Sequence, residues 1–289
     1  MSMPAGLRIT RLLMLVAVLL LVFHAPLART DGVSPAALTV APAAPGPADV
    51  PDARAALGAA ADALGMLRTA AFAPGRTPRL DVTNTMEYWA SGTPFSEFHA
   101  ALVYNPPGMR VEFTNPSGSP QHAIEVVSGK YAWNESQVGA GLEPGKGTVT
   151  PALNAAKERL LFLWTMPYGA VKAGLAAGAK AKVSVENGTT VVTFPFSGQL
   201  EGVTARATLD AKNLVAKVET QGPPDLTTES DFSDYADRGE IPTNVLFPGH
   251  IVRKRGGKVL ADMQMKMVDT NNPYIVIPVP DNILNASGK

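Results

Sequence analysis

The stretch Arg253-Lys254-Arg255-Gly256-Gly257-Lys258-Val259-Leu260-Ala261-Asp262-Met263-Gln264-Met265-Lys266-Met267-Val268 decides how this chain folds. Two extended-type runs, Ile241 to Arg255 and Lys258 to Val268, meet at a Gly-Gly pair. Paired glycines supply the positive φ angles that two-residue hairpin turns require, so the pattern predicts an antiparallel hairpin. On its second strand, alternation puts Val259, Ala261, Met263, Met265 and Met267 on one face. Lys258, Leu260, Asp262, Gln264 and Lys266 make a mainly polar opposite face. Methionine is unbranched and adaptable, so such a stripe suits an irregular core or a wall that accepts apolar ligands of varying shape.

Upstream of the hairpin, extended segments follow one another closely. Leu80, Val82, Met86 and Tyr88 alternate with polar residues, and Phe98, Ala100, Leu102 and Tyr104 repeat the pattern. Met109 to Thr114, Ala123 to Val127 and Lys130 to Trp133 follow across short turns. Further on, Val183 to Glu186 and Thr189 to Phe196 flank Asn187-Gly188, a second strong turn signal. Val203 to Leu209, Leu214 to Glu219 and Glu229 to Tyr235 lead into the hairpin, and Ile275 to Pro280 is expected as a closing strand. Locally joined strands predict an antiparallel meander, and ten or more of them predict a sheet that curls.

Two helical passages interrupt the strands. Asp52 is placed to cap a helix from about Ala53 to Thr69, with Leu57, Ala61, Leu64 and Leu67 at helical spacing. A second helix starts near Pro151 and reaches Leu160-Leu161-Phe162-Leu163-Trp164, where Pro167 breaks it before a short helix over Tyr168 to Ala177. A helix apolar on every side needs cover from several directions. The expected class is therefore mainly β (α+β): a curled antiparallel half-barrel, with an N-terminal helix and a central helix pair over its concave side.

The chain has 289 residues, 46% of them hydrophobic, with 25 basic and 25 acidic side chains and no cysteine. That composition supports a packed core and lacks the basic face that nucleic-acid binding requires. The absence of cysteine rules out disulfides and thiolate chemistry. Arg8 and Arg11 precede the apolar run Leu12 to Phe23, the layout of a secretory signal with cleavage expected after Ala28. Residues 29–51 are rich in alanine and proline and are expected as a flexible linker. Residues 52–282 then form the folded domain and 283–289 a tail. The expected location is the periplasm, or the inner membrane if the N-terminal segment stays as an anchor.

Motifs for chemistry are sparse. His99, His122 and His250 lack metal-ligand spacing, and there is no Gly-x-Ser-x-Gly elbow or His-Glu-x-x-His helix. Gly145-Lys146-Gly147-Thr148 departs from a phosphate loop, because Ala140 and Gly147 stand where a glycine and a magnesium-binding hydroxyl are needed. Glu229, Asp231, Asp234, Asp237 and Glu240 form an acidic cluster, read as a solvated strand end in which Phe232 and Asp234 share one side. Arg253, Lys254 and Arg255 read as a charged hairpin tip that discourages edge pairing.

Asp231-Phe232-Ser233-Asp234-Tyr235, Ile241-Pro242-Thr243, Phe247-Pro248, the run from His250 through Gly256-Gly257, and Val279-Pro280-Asp281 together carry a resemblance. Leu163-Trp164 with Met166-Pro167-Tyr168-Gly169, and Asn213-Leu214-Val215 with Val218-Glu219-Thr220, add two further patches. With the layout of signal, linker, helix, strands and helix pair, they resemble the lipoprotein-carrier (LolA/LolB-like) fold of exported bacterial proteins that sort lipoproteins. The resemblance implies a half-barrel around an apolar cavity for acyl chains. No arginine matches by motif the one that such carriers use for release.

The expectation is thus a non-enzymatic exported protein that binds a lipid, an acyl chain or another apolar molecule, a lipoprotein among the possible partners. Leu160, Phe162, Leu163 and Trp164 would form the lid, and Met263, Met265 and Met267 the cavity wall. No cofactor, metal or catalytic residue is expected. The alternatives are an envelope interaction module with a filled core, and a carboxylate-dependent hydrolase using Asp231 or Asp234.

Overall fold

The computed structural model describes residues 52–69 and 79–286. The expected signal and the whole of the expected linker lie outside the described residues. Thirteen strands form one antiparallel sheet that is not closed. They are β1 (Thr85–Thr93), β2 (Glu97–Tyr104), β3 (Pro107–Thr114), β4 (His122–Ser128), β5 (Tyr131–Glu135) and β6 (Val149–Pro151) before the helix pair. After it come β7 (Lys182–Glu186), β8 (Thr189–Pro195), β9 (Thr204–Leu209), β10 (Val215–Gln221), β11 (Glu229–Ser233), β12 (His250–Arg255) and β13 (Lys258–Thr270).

Their spatial order is β6-β5-β4-β3-β2-β1-β13-β12-β11-β10-β9-β8-β7. The chain meanders outward to one edge, passes through the helices, restarts at the opposite edge and returns to the middle. The quoted hairpin therefore lies at the centre, with β13 clamped between β12 and β1. Gly256 and Gly257 have φ of 54° and 76°, the doubly positive turn expected of them. Asn187 and Gly188, at 51° and 80°, make the same turn between β7 and β8.

Two irregularities in β13 alter the expected methionine face. Met265 pairs with Ala90 and Met267 with Trp89, so Lys266 is an extra residue. Neighbours on β1 point to opposite faces, so Met265 and Met267 do too. The buried row runs through Ala261, Met263 and Met265 and then continues at Val268, while Met267 is only half-buried. At the other end, Lys254 pairs with Val259 and Arg253 with Ala261, which makes Leu260 the extra residue. Val259, expected on the apolar face, is 56% exposed.

Helix α1 (Ala53–Ala63) starts where expected, with the Asp52 carboxylate accepting from the Ala55 amide at 2.6 Å. Asp52→Ala should cost about 1 kcal/mol in urea unfolding, and a change near zero would show that this cap contributes nothing. The helix stops well before Thr69. Gly65 takes φ +69° so close to the Asn244 carbonyl that a Cβ would sit 2.1 Å from it, and Leu67–Thr69 pairs instead with Arg79–Asp81. The expected Leu80 to Tyr88 strand is likewise divided, because the Asp81 carboxylate accepts from both the amide and hydroxyl of Thr83 at 2.8 Å and turns the chain.

A 3-10 turn at Leu153–Ala155 leads into α2 (Ala156–Thr165), and α3 (Pro167–Ala177) follows at 95°. Pro167 both ends α2 and opens α3, where its missing N–H costs nothing. The Tyr168 hydroxyl donates to the Leu246 carbonyl at 2.5 Å and ties α3 to the two-residue strand Leu246–Phe247 before β12. One continuous core lies between the helices and a single face of the sheet, joining Leu57, Leu161, Leu163 and Tyr168 to Tyr88, Leu102, Phe194, Val218, Phe232 and Met263.

Ile275 to Pro280 is not a strand. Pro278 and Pro280 lack the N–H a ladder needs, and the segment packs through Ile277 instead. It ends in a short helix, α4 (Asp281–Ala286), whose Ile283 is wholly buried with Trp133, Ile124 and Val126. Most of the expected C-terminal tail is therefore part of the fold.

Candidate functional site: a cavity beneath the second helix

Five consecutive apolar residues on α2 point in different directions. Leu160, Leu161 and Leu163 are buried, whereas Phe162 and Trp164 are half-buried. Leu160 and Trp164, one turn apart, line a cavity of about 760 Å³ with Ala173 and Ala177 of α3 and with Phe196 and Leu200. Phe162 faces a second cavity of about 310 Å³, walled by Phe95, Phe98, Phe113, Met109 and Met263. The expected lid residues thus divide between two cavities, and the expected wall contributes Met263 alone. Leu163, Met265 and Met267 line neither of the two.

The smaller cavity has an aromatic lining held together by ring contacts. Phe95 lies 5.3 Å from Phe98 and 4.9 Å from Phe113, and Phe98 lies 6.2 Å from Phe162 between ring centroids. These distances fall in the favourable range for tilted aromatic pairs. The rings come from the β1–β2 turn, β2, β3 and α2, so only the assembled sheet and helix bring them together.

Three arginines and two glutamates also reach this cavity. Arg159 of α2 donates to the Val126 carbonyl at 3.0 Å, the Trp133 carbonyl at 2.7 Å and Asn134 Oδ1 at 2.6 Å, which fastens the helix to β4 and β5. Burial lowers its pKa, and Glu125, 3.4 Å from Nε, opposes that shift. Arg255 at the end of β12 donates to Glu158 of α2 at 2.5 Å. Both glutamates are therefore engaged by arginines.

Arg253 differs from the other two. Its register partners are Ala261 on β13 and Ser230 on β11, both buried, so its side chain shares their inner face. Its guanidinium lies 4.0 Å from the Phe162 ring centroid. Among the described residues no hydrogen bond or ion pair engages it. Burial brings its pKa down to about 10, with Tyr88 and Glu158 acting against the shift, so it keeps its charge at neutral pH. Two buried hydroxyls near this point, Tyr88 Oη and Ser230 Oγ, make no hydrogen bond.

The reading of Arg253 as part of a charged hairpin tip that discourages edge pairing is corrected by this geometry, which turns its side chain to the inner face. A signal for it was present: Ile251 is apolar, and period-two alternation from it carries residue 253 to the same face.

The other polar clusters lie away from this cavity and are internally satisfied. His99 pairs with Glu87 at 2.7 Å, His122 with Glu112 at 3.1 Å and His250 with Asp262 at 2.7 Å, each across neighbouring strands. Asp231 meets Lys254 at 2.7 Å and Lys217 at 3.8 Å. Asp234 does not share a face with Phe232, because β11 ends at Ser233 and Asp234 turns the chain at φ 58°. Among the described residues no group of three carboxylates or histidines is placed to hold a metal ion. No model of a known protein family matches the chain, and no protein of curated function matches its sequence.

Proposed function

We propose that this is an exported, non-enzymatic protein that holds an apolar ligand, a lipid or acyl chain, between α2 and the sheet in the manner of a lipoprotein carrier. The carrying observation is the phenylalanine-lined cavity of about 310 Å³ between α2 and the sheet. Each methylene buried there contributes about 0.8 kcal/mol, so even a short chain would bind measurably.

A half-barrel form of the sheet belongs to the same proposal. What supports it is the reach of α2, which packs on β3 and β4 and also on the turn Pro224–Leu226 that precedes β11. Six strand spacings separate β4 from β11 in the sheet order. A flat sheet would put those two strands about 29 Å apart, against a ten-residue helix about 15 Å long, and a sheet that wraps around the helix brings both sides within its reach.

Native mass spectrometry of protein purified from its own host tests the reading. The expected result is an adduct of lipid or acyl-chain mass, lost on delipidation and restored by added phospholipid or fatty acid. A clean apo mass with no such rescue would overturn it. The envelope-module reading draws support from Tyr274 and Val276, 87% and 66% exposed in the segment that precedes α4, and a stable protein partner with a dry interior would favour it.

A further inference from the structure

Arg253 is the one arginine of the smaller cavity that makes no ion pair, although Glu158 acts on its charge from a distance. The lining carries Arg159, Arg253 and Arg255 against Glu125 and Glu158, an excess of one positive charge. Arg159 spends its donors on α2 anchoring, and Arg255 holds Glu158. Arg253 lies over the Phe162 ring. Such stacking satisfies the apolar face of a guanidinium and leaves its edge of N–H donors free, the geometry that recognises carboxylate or phosphate through a two-pronged contact.

Arg253 is half-buried and its unpaired N–H groups are not closed off from solvent, so an arriving oxyanion would displace water from them in exchange for charge-assisted bonds. Ser230, the in-register neighbour of Arg253 on β11, and Tyr88, within reach of its charge, each hold a buried hydroxyl with no hydrogen bond. An arginine fork thus stands in a cavity wall with four phenylalanines, and two buried hydroxyls outside that lining are left without a partner.

We infer that the cavity takes an amphiphile with an oxyanion head, carboxylate or phosphate, whose head is bound by Arg253 and whose chain lies among Phe95, Phe98, Phe113 and Phe162. This rests on the apolar-ligand reading of the same cavity and adds to it the charge of the guest. Charge-assisted hydrogen bonds in a partly desolvated site are the strong ones, so the anion should outbind its neutral analogue by about tenfold or more.

The test compares dodecanoate, dodecyl phosphate and methyl dodecanoate, titrated into the full chain by displacement of an environment-sensitive dye. The wild-type protein should bind both anions at least about tenfold more tightly than the ester. Arg253→Met, which keeps the apolar stem, should abolish that preference while leaving ester binding in place, and Arg253→Lys should retain part of it. Tighter binding of the phosphate identifies a phospholipid head as the source, and tighter binding of the carboxylate a free fatty acid; either supports the inference. Equal binding of ester and anions by the wild type overturns it while sparing the apolar reading, and does so even if a variant fails to fold. If none of the three binds, the apolar reading falls and this inference with it.

Discussion

Glu135→Leu is expected to cost about 3–5 kcal/mol in urea unfolding. The Glu135 side chain is 0% exposed at the end of β5. Its two oxygens accept from Arg110 Nε at 3.1 Å and Nη2 at 3.2 Å, from the Trp133 indole at 3.0 Å and from the Gly139 amide at 2.8 Å. Removing the carboxylate leaves a mostly buried guanidinium and two further donors without partners, and each lost partner costs its own desolvation. Arg110→Met in the same chain should recover much of the loss, because the stranded charge goes too. Asp262→Asn, at a half-exposed pair with His250, should stay within about 0.5 kcal/mol. A loss under about 1 kcal/mol for Glu135→Leu would mean that this network does not hold the loop after β5.

Gly169→Ala should cost about 3 kcal/mol, at the upper end for overpacking, because the clash is with main chain and not with a side chain able to rotate away. A Cβ at Gly169 would lie 2.4 Å from the Leu163 carbonyl oxygen and 2.8 Å from the Trp164 Cα. The contact is made where α2 and α3 meet at 95°, so relieving it means moving one helix off the other. Since α2 covers both cavities, the variant should also bind hydrophobic dye more loosely and melt earlier. Gly58→Ala provides the contrast: no atom lies within 4 Å of the new Cβ, and alanine in the middle of α1 should stabilise by about 0.5–1 kcal/mol. Equal effects at the two glycines would rule out the close approach at the helix elbow as the cause.

Much of the sheet was legible from the residues because its signals are local. Gly256-Gly257 and Asn187-Gly188 impose their turns through their own φ angles, whatever the rest of the chain does. Asp52 caps its helix through an amide three residues away. The failures have a common cause. Ile275 to Pro280 has strand-like residues, but its prolines cannot join a ladder, and the apolar side chains find Ile283 and Trp133 instead. The methionine row was read by strict alternation, which holds only while the register is unbroken. The bulges at Leu260 and Lys266 are set by the strands on either side of β13, not by β13 itself.

The candidate site was legible only in outline. An all-round apolar helix implied cover on several faces, and Phe162 and Met263 do meet at one cavity. Phe95 and Phe113 reach it from other strands, across distances along the chain that no pattern of neighbours encodes. Arg253 followed the alternation from Ile251, but only tertiary structure places it over Phe162 and leaves its donors free of the two glutamates beside it.

Turn chemistry, strand alternation and the mainly β class were thus written in residues close together in sequence, since φ preference and side-chain period act over two to four positions. Strand register, the pairing of β13 with a β1 nearly the whole domain away, and the choice of which charge is answered and which is not came only with the folded chain. Each of those depends on which distant backbone supplies the hydrogen bond or the carboxylate, and that is settled by packing, not by propensity.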